Sequence, residues 1–249
     1  MYNAGMALLA TKELTKRFGG VHAVDHVDVL FEGGKITALI GPNGSGKTTL
    51  INTITGMLPI DTGEIVISDS VRLQKMYRSE VAIYGITRTF QNVRLVGQMS
   101  VLDNLLLVLT ERAVFSALFE KHGKFHLDAA EDILKKLGLW EKRHDHAENL
   151  SYGQRKLLEI GRAIAMRAQI YFFDEPFAGL FPEMRTVVSG LLTELRDQGA
   201  AVILVEHDMS LIRDLADHCY VLDSGKVIAH GPPEEALAKE LVVEAYLGR

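Results

Sequence analysis

The stretch that most constrains this chain is Gly41-Pro42-Asn43-Gly44-Ser45-Gly46-Lys47-Thr48. Gly, four residues, Gly, Lys and then Ser or Thr is a phosphate-binding pattern, and it works in one local setting: a strand leading in and a helix leading out. Lys35-Ile36-Thr37-Ala38-Leu39-Ile40 supplies the strand, and from Thr48 a helical pattern runs through Leu50, Ile51 and Ile54 until Gly56 and Pro59 stop it. The glycines let backbone N–H groups turn inward around phosphate oxygens, Lys47 adds a cation near the outer phosphates, and the helix N-terminus contributes its positive dipole end. Thr48 brings a hydroxyl suited to Mg²⁺. Nucleotide binding on an α/β scaffold is the expectation.

The rest of the chain alternates as that loop requires. Ile170-Tyr171-Phe172-Phe173 is continuously apolar and stops at Asp174-Glu175-Pro176, as a strand buried on both faces of a parallel sheet should. Ala201-Val202-Ile203-Leu204-Val205 is a second such strand, stopping at Glu206-His207-Asp208. Helices follow them over about 183–198 and through Leu211, Ile212 and Leu215, and this alternation predicts a largely parallel sheet. Val27 to Phe31 reads as a strand joined to 35–40 by a hairpin-type turn at Glu32-Gly33-Gly34, and 63–67 as another; 221–228 reads as a closing hairpin and 233–247 as a C-terminal helix. Between about 92 and 149 the pattern becomes helical. Ser100 with Asp103 resembles a capping box ahead of Val101, Leu105 and Val108, and Ile133, Leu134 and Leu137 share a face until Gly138. One domain over 1–249 with a helical insertion at about 92–149 is the expected organisation. Ser151 then opens a further helix, with Gln154 in the capping-box position and Leu157, Leu158, Gly161, Ile164 and Ala165 as its packing face.

Three expected strands thus end at Gly41, Asp174 and His207, on one edge if the strands are parallel, which is where open α/β sheets bind ligands. Asp174 stands where a carboxylate can hold Mg²⁺ beside the phosphate loop. Glu175 could polarise the water that attacks a γ-phosphate, or accept its proton. Taken alone, two acids after a strand are more often a cap or a solvated turn; the phosphate loop decides against that. His207 could contact the γ-phosphate and orient water or Glu175, whereas the other eight histidines read as surface or structural residues. Ser151, Gly153 and Gln154 are explained by capping and loop chemistry, yet they also make a second anion-ready helix end with no second phosphate motif to need it. That surplus suggests a site completed by another copy.

Composition removes several alternatives. With 47% hydrophobic and 24% charged residues the chain is neither disordered nor short of core. Lys and Arg total 27 against 32 Asp and Glu, a formal charge of −5, so no bulk cationic field exists for nucleic acid or anionic lipid. The single Cys219 cannot form an internal disulfide and reads as a small buried hydrophobe in a reducing compartment. No apolar run reaches the roughly 18 residues of a membrane span, and residues 1–11 lack the features of a secretion signal, so a cytoplasmic location is expected.

These residues together resemble the nucleotide-binding subunits of ATP-binding cassette (ABC) transporters, from about Leu9 to Arg249. The resemblance implies a P-loop NTPase core with a largely parallel sheet, an antiparallel β edge subdomain and a helical insertion. It implies a phosphate loop at 41–49, including Thr49; a glutamine-loop residue at Gln91, contributing to catalysis and to Mg²⁺; a signature motif over Leu150-Ser151-Tyr152-Gly153-Gln154; a magnesium aspartate at Asp174; a catalytic glutamate at Glu175; and a switch histidine at His207. Phe18 lies where that family stacks an aromatic ring on adenine, although by itself it reads as core. The implied partners are a second ATPase subunit, identical or paralogous, in a head-to-tail dimer that sandwiches ATP between one phosphate loop and the other copy's signature helix, and membrane permease subunits, with a solute-binding protein acting indirectly. The location implied is the cytoplasmic face of the inner membrane.

Gly85 to Leu95, the Tyr in the signature, Val205-Glu206-His207-Asp208-Met209, 230–235 and the Glu244-Ala245-Tyr246-Leu247-Gly248 ending look like the high-affinity branched-chain amino acid importers, with importers of urea and amides as relatives. The alternatives are a lipid or lipopolysaccharide exporter subunit and a soluble ABC ATPase outside transport. Two departures from the family pattern stand out. Phe181 occupies a position that is usually Asp, or in this subgroup often Asn, and a phenyl ring cannot make the polar contact across the dimer made there. The segment around 111–124 looks shorter than the subgroup's helical insertion, which implies an altered dock for the membrane partner.

Overall fold

The computed structural model describes residues 5–89, 93–110 and 123–247; Gln91 lies outside the described residues, as does 111–122, most of the segment expected to be short. In chain order the elements are β1 (Ala7–Phe18), β2 (Val21–Val27), β3 (Leu30–Glu32), β4 (Lys35–Ile40), α1 (Lys47–Ile54), β5 (Thr62–Ile67), β6 (Val71–Leu73), β7 (Ile86–Arg88), α2 (Val101–Thr110), α3 (Gly123–Lys136) and α4 (Tyr152–Ala165). They continue with β8 (Ile170–Asp174), α5 (Pro182–Asp197), β9 (Ala201–Val205), α6 (Met209–Leu215), β10 (His218–Asp223), β11 (Lys226–Gly231), α7 (Pro233–Leu237) and α8 (Glu240–Leu247). The chain divides into two compact units, one of residues 1–88, 168–175 and 191–249, the other of 89–167 and 176–190.

The first unit is built on two sheets. One is antiparallel, ordered β2-β1-β5-β6 with β3 also on β1; the other is ordered β11-β10-β4-β9-β8-β7. From β10 to β7 every pairing is parallel, and only the β10–β11 hairpin is antiparallel. The period of two along β4 explains how this sheet is covered on both sides. Leu39 enters the cluster with Leu9, Phe31, Ile65, Phe172, Ile203 and the α1 residues Leu50, Ile51 and Ile54, while Ala38 and Ile40 enter a second cluster with Ile212, Cys219, Ala236 and Val242. Phe31 meets Phe172 edge-on at 5.8 Å between ring centroids. Each fully buried Leu or Phe here contributes roughly 1.5–3 kcal/mol relative to an exposed one. Cys219 is the buried small hydrophobe expected, its thiol pushed up to about 11 by burial.

In the second unit α2, α3 and α4 pack on one another. Gly161 permits the closest approach, since a Cβ there would lie 2.6 Å from Leu137 Cδ1 and 3.2 Å from Ile133 Cγ2. Ser100 Oγ accepts the Asp103 N–H (3.0 Å) and donates to its carboxylate (2.7 Å), which fixes the start of α2.

Three expectations change. The turn at Glu32-Gly33-Gly34 does not close a hairpin: β3 joins the antiparallel sheet through β1, while β4 joins the parallel one between β9 and β10. The turn's N–H groups are used elsewhere, Gly33 donating to Met6 (2.9 Å) and Gly34 to Ala200 (3.0 Å). The strand expected over 27–31 likewise splits, because Asp28 and Val29 belong to neither β2 nor β3. The C-terminal helix breaks between Leu237 and Glu240. At 100° per residue a continuous helix would set Ala236 and Val242 about 120° apart; the break brings both into one cluster.

Candidate active site

Local sequence builds the phosphate loop. Gly41 has φ +148°, and a Cβ there would sit 2.1 Å from the Leu222 carbonyl oxygen; at Gly46, with φ +105°, a Cβ would sit 2.2 Å from that of Ala23. Neither position can carry a side chain. Pro42 accepts the Ser45 N–H (3.2 Å) to close the turn, Ser45 is buried, and Asn43, Gly44 and Thr48 are exposed, with Thr49 half-buried. Gly46 begins α1, whose N-terminus no side chain caps and whose first turn carries no acid. Such an end presents N–H groups and a positive dipole to an anion.

Lys47 is folded into this loop. Its Nζ donates to the Gly41 carbonyl (2.8 Å) and the Pro42 carbonyl (3.0 Å) and lies 3.4 Å from Ser45 Oγ. Burial holds its pKa below the ordinary lysine value, against the opposing pull of Glu175 and Asp174. A buried cation that satisfies itself on its own loop's carbonyls fits a site built for phosphate oxygens.

Asp174 ends β8 and Glu175 follows it, while His207 follows β9, its neighbour in the sheet. Asp174 is buried, and its Oδ2 accepts from Arg88 Nη2 at 3.0 Å. Glu175 is held at φ +49°, in the left-handed region, while its N–H donates to the Val205 carbonyl (2.9 Å). That backbone geometry turns its carboxylate to His207, whose Nε2 lies 3.1 Å from Glu175 Oε1. Strain of this kind persists only where the surrounding structure over-determines the backbone. Thr48 and Asp174 offer oxygen donors alone, the set that suits Mg²⁺; the third expected donor, Gln91, lies outside the described residues.

Phe18 ends β1 and is 48% exposed, with the Lys16 ammonium 5.6 Å from its ring centroid. It is not core, contrary to what its residue type alone suggests, and a half-open ring is what stacking on a base requires. In the second unit Ser151 caps α4 with a full capping box: its Oγ accepts the Gln154 N–H (3.3 Å) and Gln154 Oε1 accepts the Ser151 N–H (3.1 Å). Gly153 lies under Met184, where a Cβ would be 2.7 Å from the sulfur. Lys156 Nζ donates to the Ala178 carbonyl at 3.3 Å, and Gly179, at φ +72°, passes under the Tyr152 ring. Phe181, just before α5, is 71% exposed.

The structure therefore brings Gly41, Lys47, Asp174, Glu175 and His207 to one edge of a parallel sheet, and places Ser151, Gly153 and Gln154 in the other unit. Sequence reasoning gave no role to Arg88 or to Asn52, whose Oδ1 accepts from Arg88 Nη1 (2.5 Å). The only signal was a cation ending a short strand. Its carboxylate partner is 86 positions away, beyond the reach of any local pattern.

A phosphate loop feeding from the central strand of a parallel sheet, with acidic strand ends beside it, defines a P-loop nucleotide-binding protein. Within that class, the sequence profile of the ABC transporter family matches residues 24–178, and the chain belongs to that family. It is 38% identical over 250 residues to the high-affinity branched-chain amino acid transport ATP-binding protein LivG of Salmonella typhimurium, the match covering 97% of this chain and 98% of that one. Its fold is similar to the ADP conformation of an ATP-binding cassette of an ABC transporter (TM-score 0.84, 34% identity, 98% and 100% of the two chains). It is also similar to a dimeric post-hydrolysis cassette bound to ADP and phosphate (TM-score 0.79, 25% identity, 91% and 99%).

Proposed function

We propose that this chain is the ATP-hydrolysing subunit of an ABC importer for branched-chain amino acids or related small polar solutes. The observation that carries the chemistry is the Glu175–His207 pair at 3.1 Å, set at neighbouring strand ends whose carboxylates act on buried Lys47. The likeness to LivG over nearly the full length of both chains supports import of that solute class.

In this reading the loop N–H groups and Lys47 bind the phosphates of ATP, and Phe18 stacks on the adenine. Thr48, Asp174 and Gln91 would hold Mg²⁺, which would supply charge neutralisation on the phosphates. Glu175 accepts a proton from the attacking water, and His207 fixes the carboxylate's orientation through Nε2. Ser151, Gly153 and Gln154 serve the ATP of a second subunit, as the dimeric form of a similar cassette supports. Two bound ATP close the head-to-tail dimer and hydrolysis reopens it. Closure can do work only through the difference in ATP affinity between the two states. No helix among the described residues is long and apolar enough to cross a membrane. In this reading permease subunits provide the path, the region around Gln91 passes on the motion, and a solute-binding protein delivers the cargo. The chain works at the cytoplasmic face of the inner membrane as one ATPase domain with its helical insertion over about 92–149.

The test is Glu175→Gln protein, tagged and purified from detergent-solubilised native membranes with ATP and Mg²⁺. Retained ATP binding, hydrolysis reduced by at least about 10²-fold and co-purified permease subunits of an amino-acid importer are expected. Undiminished hydrolysis would refute the chemistry. Recovery of lipid-export components or ribosomes would leave the chemistry standing and remove the import assignment.

A further inference from the structure

Arg88 ends the three-residue strand β7 with its guanidinium almost wholly buried, the side chain 6% exposed against 9% for Asp174. The two ends of its fork hold different elements. Nη2 donates to Asp174 Oδ2 at the end of β8 (3.0 Å), while Nη1 donates to Asn52 Oδ1 on α1 (2.5 Å) and lies 3.4 Å from Thr55 Oγ1. Asn52 stands five positions after Lys47 on the helix that the phosphate loop opens. One rigid planar group therefore ties the carboxylate at the end of β8 to the helix that positions the phosphates.

A buried ion pair is a poor stabilising device, because desolvating both charges costs about what their attraction returns. Orientation is what it does supply. A guanidinium presents its donors in a fixed fork, so a carboxylate oxygen bound to one nitrogen is placed relative to whatever holds the other. We propose that Arg88 is a positioning residue for the metal. It fixes the Asp174 carboxylate in register with α1 so that Mg²⁺, bound with ATP, meets a donor already aimed. The inference rests on Asp174 being a Mg²⁺ ligand. Partners that orient a metal's ligands are typically worth 10–100-fold in metal affinity. The same cation also repels Mg²⁺, so the two effects have opposite signs, and orientation is the larger.

The test compares ATP affinity with Mg²⁺ and with EDTA, in full-length protein carrying Glu175→Gln so that no turnover intervenes. The ratio of the two affinities measures what the metal contributes, and a merely structural lesion would weaken both equally. With Arg88→Met the metal-free affinity should stay within about twofold while the ratio falls about 10–100-fold. Arg88→Lys keeps the charge but cannot span Asp174 and Asn52, so its ratio should fall by more than about threefold. It serves as the deciding variant if Arg88→Met does not fold. A ratio that is unchanged or raised in the folded variant overturns the proposal; a raised one would mean that repulsion is the larger effect. Asp174→Asn separates the two levels. If it abolishes the metal's contribution while the Arg88 variants do not, the Arg88 proposal alone fails. If it too leaves the ratio intact, Asp174 is not the ligand and both fall.

Discussion

Glu175 offers a measurement that separates backbone strain from chemistry. Its φ of +49° lies in the left-handed region, and the N–H bond to Val205 at 2.9 Å pins it there. Glu175→Ala and Glu175→Gly both remove the carboxylate and its contact with His207, so the difference between them isolates the backbone. A residue with a Cβ pays about 1–2 kcal/mol to sit in this region, and glycine pays roughly 0.5–1 kcal/mol in extra unfolded-state freedom. Glycine should therefore be the more stable of the two by about 0.5–1 kcal/mol, the reverse of their order at an ordinary position. At roughly 2–4 °C per kcal/mol for a chain of this size, the melting temperatures should differ by about 1–4 °C. Scanning calorimetry of the two nucleotide-free proteins in EDTA makes the comparison, and neither variant should hydrolyse ATP. An alanine variant as stable as the glycine one, or more so, would show that Glu175 is not held in the left-handed region, and the account of how its carboxylate is aimed at His207 would fail.

Lys47→Met should abolish measurable ATP binding, and it also exposes a linkage. Because burial depresses the Lys47 pKa, the folded state releases that proton while the unfolded state still holds it, so the stability of the wild type relative to Lys47→Met should rise with pH as the ordinary lysine range is approached; a flat or falling difference in denaturant titrations would contradict the burial. Ser151→Ala should cost about 1 kcal/mol of stability through the lost cap and abolish hydrolysis with ATP binding retained. Ser151→Asp should restore the cap and hence the melting temperature but not the hydrolysis, and wild-type turnover in that variant would remove Ser151 from the ATP site.

The strands that carry the site were legible because they are buried on both faces. Ile170 to Phe173 and Ala201 to Val205 have no polar face to obscure them, and the phosphate loop marks the end of β4. β1 was not legible, for a physical reason. Its 12 residues pair with three strands through register shifts, and Glu13 sits at φ +51°, so the alternation that announces a strand is broken where β1 passes from one partner to the next. β7 was missed because three residues carry no period at all, and the Arg88–Asp174 pair was missed with it. The false hairpin at 32–34 had a real turn and real strands; which sheet each strand joins depends on β1, β9 and β10, none of which is local to the turn.

The two helix N-termini that the sequence offers as anion-ready differ in structure. α1 has no capping side chain and a lysine folded onto its loop. α4 is capped by its own residues, Ser151 and Gln154. The serine hydroxyl is compatible with the role proposed for it at a second subunit's ATP. It has one donor and two acceptor positions, and the capping bond to the Gln154 N–H uses an acceptor, not the O–H. A cap and a donated bond to a phosphate oxygen can therefore exist together on one side chain. Aspartate keeps the acceptor and loses the donor, so it divides what the serine does for its own helix from the role proposed for it at a neighbouring nucleotide.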